Sequence, residues 1–104
     1  MTGSRLEAIE KRAREHPEDV FANYALAMEY ASAGRVDDAI DAYRALHQRR
    51  PDYLATYYQL GKLLAQAGRR EEAREVFDAG VNVARRAGNE HTLNELQEAL
   101  SQLG

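Results

Sequence analysis

The most constraining feature of this sequence is an internal repeat with a period of 34 residues. Ala31–Leu46 reads ASAGRVDDAIDAYRAL, and Ala65–Gly80 reads AQAGRREEAREVFDAG. A period of about 20 to 50 residues is typical of proteins built from stacked units, in which each unit buries its apolar face against the next. The matched pairs are Gly34 and Gly68, Arg35 and Arg69, Ala39 and Ala73, Tyr43 and Phe77, Tyr24 and Tyr58, Leu26 and Leu60, and Pro17 and Pro51.

Within each repeat the apolar residues follow a helical spacing on either side of the glycine, which predicts a pair of helices. Gly34, Gly68 and Gly88 are predicted to end helices, because glycine adopts the left-handed conformation that closes a helix. The prolines separate one helical pair from the next, and Asp19 and Asp52 are predicted as N-caps. The sequence thus predicts six helices and no strand, near residues 4–15, 19–33, 36–49, 53–67, 70–87 and 90–102.

The same positions resemble the tetratricopeptide repeat, whose helical pair carries a large residue, Leu, Gly and Tyr, then Ala and Phe, then a closing Pro. The resemblance covers most of the chain, with departures at Asn23 and Leu64, where aromatic residues are expected, and at Arg85, which replaces the second closing proline. Without that proline, the fifth helix is expected to continue toward Gly88. The matching residues are Leu26, Ala27, Tyr30, Ala39, Tyr43, Leu46 and Pro51 in the first repeat, and Tyr57, Leu60, Gly61, Ala73, Phe77 and Gly80 in the second.

The resemblance implies an all-α fold, a right-handed superhelix of helical hairpins in a single domain over residues 1–104. Residues 18–51 and 52–88 would be two full repeats, residues 4–17 a half-repeat, and residues 89–104 a C-terminal capping helix, weakly matched because Asn94 and Glu95 stand where Leu and Gly are expected. Small residues should let paired helices approach closely while large ones fill the space around them. The small ones are Ala27, Ala39, Gly61 and Ala73, and the large ones Leu26, Tyr43, Leu60 and Phe77.

Composition restricts the function classes. The chain has no cysteine, which excludes disulfides and thiol chemistry. Its 17 acidic and 14 basic residues are spread along both halves and give a net charge of −3, so we expect no nucleic-acid partner. No stretch approaches the roughly 20 apolar residues of a membrane span, and the first residues do not resemble a signal peptide, which predicts a cytoplasmic protein without membrane partners.

Residues that often carry chemistry are present without the spacing that chemistry needs. Ser4, Ser32 and Ser101 lack a nucleophile-elbow pattern. The three histidines, His16, His47 and His91, lack the spacing that places two metal ligands on one helical face. The acidic pairs Asp37-Asp38 and Glu71-Glu72 suit helix N-termini better than acid/base catalysis. We therefore expect no enzyme, no metal and no cofactor.

What the resemblance implies instead is binding of a protein or peptide partner on a concave face lined by the first helix of each repeat. Two alternatives stay open: the C-terminal helix covers that face itself, or residues such as Leu6 and Leu103 stack on a second copy to form a homodimer. The sequence does not identify the partner. The predicted partner-binding residues are Phe21, Tyr24, Met28, Tyr58, Gln59 and Lys62.

Overall fold

The computed structural model describes residues 4–104, which contain α-helices and no β-strand. They form two compact units, the first ending at Arg50 and the second running from Pro51 to Gly104. The six predicted helices are confirmed, each end within one residue of the expected position. Whether residues 1–104 act as one domain stays a prediction. The helices are α1 (Ser4–Glu15), α2 (Val20–Ser32), α3 (Val36–Arg49), α4 (Leu54–Gln66), α5 (Arg70–Ala87) and α6 (Glu90–Leu103).

One of the two predicted aspartate caps is confirmed. The Asp19 carboxylate accepts a hydrogen bond from the Ala22 amide at 3.1 Å and so caps α2. This bond and the nearby Arg12 guanidinium hold the pKa of the Asp19 carboxyl below its ordinary value. The prediction for Asp52 is wrong, because α4 begins one residue later, after Tyr53, which makes no side-chain cap bond.

The repeated Gly-Arg pair marks the turn inside each hairpin. Gly34 and Gly68 have φ of 77° and 81°, in the left-handed region that glycine adopts without a side-chain clash. The following arginine then pairs with an acid three residues later, Arg35 with Asp38 and Arg69 with Glu72, each at 2.8 Å. The acids of the repeat thus lie in the first turn of α3 and α5, where negative charge favours the helix dipole.

In the first unit, α2 packs against both α1 and α3. Small and large side chains meet as predicted at the α2–α3 contact, where Ala27 and Ala39 have no exposed surface and Tyr43 is buried, while Leu26 is half-buried. Polar bonds tie α1 to this pair, including the Tyr30 hydroxyl, which donates to Glu10 Oε2 at 2.6 Å. The half-repeat helix therefore shares the core of the first unit.

In the second unit, α5 lies between α4 and α6 and contacts both, and α4 also contacts α6. Two glycines permit this packing. A Cβ on Gly61 would overlap the ring of Phe77, with Cδ1 only 2.6 Å away, and a Cβ on Gly80 would lie 2.6 Å from Cβ of Tyr57. Leu96 places the capping helix in the same core, because its side chain has no exposed surface.

The fifth helix extends as the missing proline predicted. It has 18 residues and ends at Gly88, whose φ of 68° is again left-handed. Between residues 4 and 104 no helix is both long and apolar enough to cross a membrane.

Candidate partner-binding surfaces

The three predicted binding residues of the first unit lie on α2. Phe21 is 77% exposed and Met28 is 42% exposed, and both are in the class of large apolar side chains that folding normally buries. The two residues are seven positions apart, which is almost two full turns, so their side chains leave the same face of the helix. Tyr24 lies between them, three residues after Phe21. The three side chains thus form one stripe along α2, the α2 stripe.

Tyr24 joins this stripe to the core. Its ring meets the ring of Tyr43 edge to face, with centroids 6.1 Å apart and planes at 62°. Tyr43 itself is 2% exposed, and burial raises the pKa of its hydroxyl well above the ordinary value. Because its neighbour is fixed in the core, Tyr24 is held in one orientation while remaining half-buried.

The second unit presents a different surface on α4. Lys62 places its ammonium 5.4 Å from the centroid of the Tyr58 ring, within the range of a cation–π contact. Tyr58 is half-buried and Lys62 is exposed. The contact therefore holds a positive charge beside an aromatic ring at the protein surface.

Tyr58 and Lys62 line a cleft of about 290 Å³, the α4–α6 cleft. Phe77 contributes to it, and α6 forms the opposite wall. Within the second unit, α6 thus borders the face that carries Tyr58 and Lys62 and leaves a cleft open there. The remaining lining residues are Ala65, Gln66, Ala99, Gln102 and Leu103.

Gln59 is half-buried on α4 and is not among the residues that line the α4–α6 cleft. The sequence left open that the C-terminal helix lies against this face, but it did not identify Ala99, Gln102 and Leu103 as the residues that line the cleft.

The chemistry of these surfaces suits noncovalent recognition. The α2 stripe supplies aromatic and thioether contact area, and methionine adapts its shape to different partners. The α4–α6 cleft supplies two aromatic rings, a cation and two amide side chains. In residues 4–104 no group of three or more metal-ligating side chains is close enough together to hold a metal ion.

Comparison with known proteins agrees with the helical-hairpin architecture. A family model described as tetratricopeptide repeat matches residues 30–91, more than half of the chain. No significant match was found among curated proteins.

Many solved structures are similar to this chain, among them two from Salinibacter ruber and one from Bordetella parapertussis. The solution structure of a tetratricopeptide repeat domain protein from Salinibacter ruber is 38% identical, with a TM-score of 0.78, over 84% of this chain and 88% of that one. A crystal structure of a tetratricopeptide repeat domain protein from the same organism is 36% identical, with a TM-score of 0.76, and the match covers 82% of this chain and 96% of that one. A protein from Bordetella parapertussis is 28% identical, with a TM-score of 0.81, and the match covers 94% of this chain and 85% of that one.

The resemblance drawn from the repeated residues is therefore confirmed, as is the all-α fold class. With its family model matched and a relative 38% identical over most of its length, this chain belongs to the tetratricopeptide repeat family.

Proposed function

We propose that the chain is a non-catalytic interaction module that binds a protein partner through the α2 stripe and the α4–α6 cleft. Members of the tetratricopeptide repeat family generally bind protein partners. The observation that carries the proposal is the α2 stripe. Among the described residues, Phe21 and Met28 are the exposed large apolar side chains, and both lie on that one face.

Leaving these side chains in water is unfavourable. Fully burying an exposed Phe or Met side chain is worth roughly 1.5–3 kcal/mol. Phe21 is 77% exposed and Met28 is 42% exposed, so a partner that covers the stripe gains most of this energy from Phe21 and less from Met28. Aromatic residues are also enriched among the side chains that dominate binding energies, and Tyr24 is already held in place against Tyr43. The stripe therefore has the composition of an interface centre.

The second unit adds charge to this recognition. Lys62, held over Tyr58, is suited to an acidic or carbonyl-rich segment of the partner, while Phe77 and Leu103 provide apolar contact within the cleft. Gln59 is proposed to contact the partner at the margin of this surface. The two units contribute separately, and each contribution is tested by itself.

The repeat supplies a matched variant for the α2 stripe. The residues 34 positions after Phe21 and Met28 are Ala55 and Lys62, so both replacements are compatible with a helix at these positions. We expect Phe21→Ala plus Met28→Lys to remain fully helical and to lose the partner in affinity purification with the tagged chain. Gln48→Ala, an exposed substitution on α3, should retain it.

Equal recovery of the same partner by all three proteins would place the interface elsewhere. For the second unit, Lys62→Glu reverses the charge beside Tyr58 and should weaken binding most at low salt, because exposed charges are screened as ionic strength rises. A loss of binding that is independent of salt contradicts the proposed role of Lys62.

The alternative is that the chain is a structural module that associates with itself through its terminal helices. Light scattering on the wild type separates the two functions. A monomeric mass at high micromolar concentration counts against obligatory self-association, whereas a dimer that dissociates on substitution of Leu6 or Leu103 favours it.

A further inference from the structure

A second cleft in the second unit lies where α5 runs past the beginning of α4. It measures about 790 Å³, within the range of about 300–1,000 Å³ usual for ligand sites. Its lining is mainly apolar, and it shares no residue with the α4–α6 cleft. We call it the α5 cleft, and its lining residues are Pro51, Asp52, Tyr57, Ala79, Asn82, Val83, Arg85, Arg86 and Ala87.

The repeat shows why this cleft is open. A partly corresponding corner of the first unit measures about 340 Å³. Three of its six lining residues, Pro17, Glu18 and Arg49, are the counterparts of Pro51, Asp52 and Val83, and the other three are Val20, Leu46 and Arg50. There the Arg49 guanidinium donates to the Pro17 carbonyl at 2.9 Å. Val83 has no donor and a much shorter side chain, so it cannot fill the corner in the same way.

The floor of the α5 cleft is fixed by Tyr57. This side chain is 3% exposed, and its hydroxyl donates to the Pro51 carbonyl, just as its counterpart Asn23 donates its amide to the Pro17 carbonyl in the first unit. Burial raises the pKa of the Tyr57 hydroxyl, and the nearby positive charge of Arg86 opposes that shift. Arg86 lines the same cleft as Tyr57.

The rim carries two arginines because α5 lacks the closing proline. The helix continues to Ala87, and its last turn brings Arg85 and Arg86 to the cleft. Both are exposed, and neither forms an ion pair with an acidic side chain of residues 4–104. Asp52 contributes the one carboxylate of the lining, so the rim keeps an excess of positive charge.

From this charge and shape we infer that the α5 cleft binds a protein segment in which an aliphatic or aromatic side chain lies next to a carboxylate. The apolar side chain occupies the space lined by Tyr57 and Val83. The carboxylate pairs with Arg85 or Arg86 at the rim, where a planar guanidinium matches carboxylate geometry. The site is independent of the surfaces proposed for α2 and α4.

The test uses the full chain labelled with ¹⁵N and a blocked peptide of sequence Asp-Leu-Phe-Asp. We expect the peptide to shift the amide resonances of residues 79–87, and a matched Asn-Leu-Phe-Asn peptide to bind more weakly. Replacing Arg85 and Arg86 together by Gln should weaken binding of the acidic peptide roughly 2- to 30-fold, as expected for two exposed ion pairs.

Two further variants keep the result interpretable. Val83→Arg restores the residue of the first unit and should abolish the shifts by filling the cleft. If that variant does not fold, Arg86→Glu, at an exposed position, should reverse the preference toward a Lys-Leu-Phe-Lys peptide. Arg70→Gln removes an exposed positive charge at the other end of α5, from a residue that lines neither cleft, and should leave binding of the acidic peptide unchanged.

Several outcomes would overturn the inference. Equal affinity for the acidic and neutral peptides removes the role of the arginines. Equal shifts with inorganic phosphate alone indicate an anion site without an apolar component. Absence of shifts in residues 79–87 at millimolar peptide, or binding that Val83→Arg leaves intact, shows that the cleft is not the binding site.

Discussion

Gly80 is the position where one added methyl group should most clearly disturb the second unit. In Gly80→Ala the new Cβ would lie 2.6 Å from Tyr57 Cβ and 3.0 Å from Leu96 Cδ1. Carbon atoms of this kind normally stay about 3.5–4.0 Å apart, so α4 and α5 must separate by roughly 1 Å or the side chains must shift. Tyr57 Cβ is fixed to its own backbone and buried, so it cannot rotate away.

Two opposing terms set the size of the effect. Overpacking a filled core costs about 1–3 kcal/mol, and the rigid contact with Tyr57 places this substitution in the upper half of that range. Replacing glycine by alanine inside a helix gains about 1 kcal/mol. The free energy of unfolding should therefore fall by about 1–2 kcal/mol.

Urea denaturation followed by far-UV circular dichroism measures this change as a lower midpoint with an unchanged slope. Ala79→Gly, one residue away on the exposed side of α5, measures the helix contribution alone and should cost about 1 kcal/mol. Stabilisation by Gly80→Ala, equal and opposite to the loss in Ala79→Gly, would show that α5 does not approach Tyr57 as the structure has it.

Three other predictions concern single side chains. The hydroxyl of Thr56 is buried and finds no hydrogen-bond partner among the described residues, so Thr56→Val should raise the free energy of unfolding by about 1 kcal/mol, and a loss in urea denaturation would contradict this. Leu96→Ala should lower the free energy of unfolding by about 2–5 kcal/mol, because this leucine is fully buried. A cost below about 1 kcal/mol in urea denaturation would mean that α6 is not part of the core. Asp19→Ala should lower the melting temperature at neutral pH. Because the pKa of Asp19 is depressed in the folded state, the stability that its carboxylate contributes is present above the unfolded-state pKa and is lost as the pH falls through the folded-state pKa. The difference in melting temperature between the variant and the wild type should therefore vanish in acid. A difference that persists in acid would refute the cap.

The helices and their ends were predictable because their signals are local. Helical spacing of apolar residues, left-handed glycines and prolines each act on the chain within a few residues. The prediction for Asp52 failed because an N-cap is the residue directly before the helix, so an error of one residue in the helix start changes which residue is the cap. The helix α4 starts at Leu54, which makes Tyr53 the N-cap. The missing proline at Arg85 likewise predicted the longer α5 correctly.

The candidate surfaces were only partly predictable. Sequence position placed Phe21 and Met28 on one face of α2, and the structure adds that they are exposed while Tyr43 is buried. Tyr57 and Tyr58 are adjacent and chemically identical, yet one forms the floor of the α5 cleft and the other lines the α4–α6 cleft. Their different roles follow from the direction in which each leaves the helix relative to α5 and α6.

The sequence by itself determined that this chain repeats a helical hairpin, where each helix begins and ends to within one residue, and which family it belongs to, because a repeated pattern of small, large and turn residues permits few other folds. Tertiary structure alone decided that Tyr57 and Leu96 are the side chains that meet Gly80, and that Val83 leaves a corner open where, in the first unit, Arg49 donates to the Pro17 carbonyl. These properties depend on which atoms meet across neighbouring helices, and no local pattern records those distances.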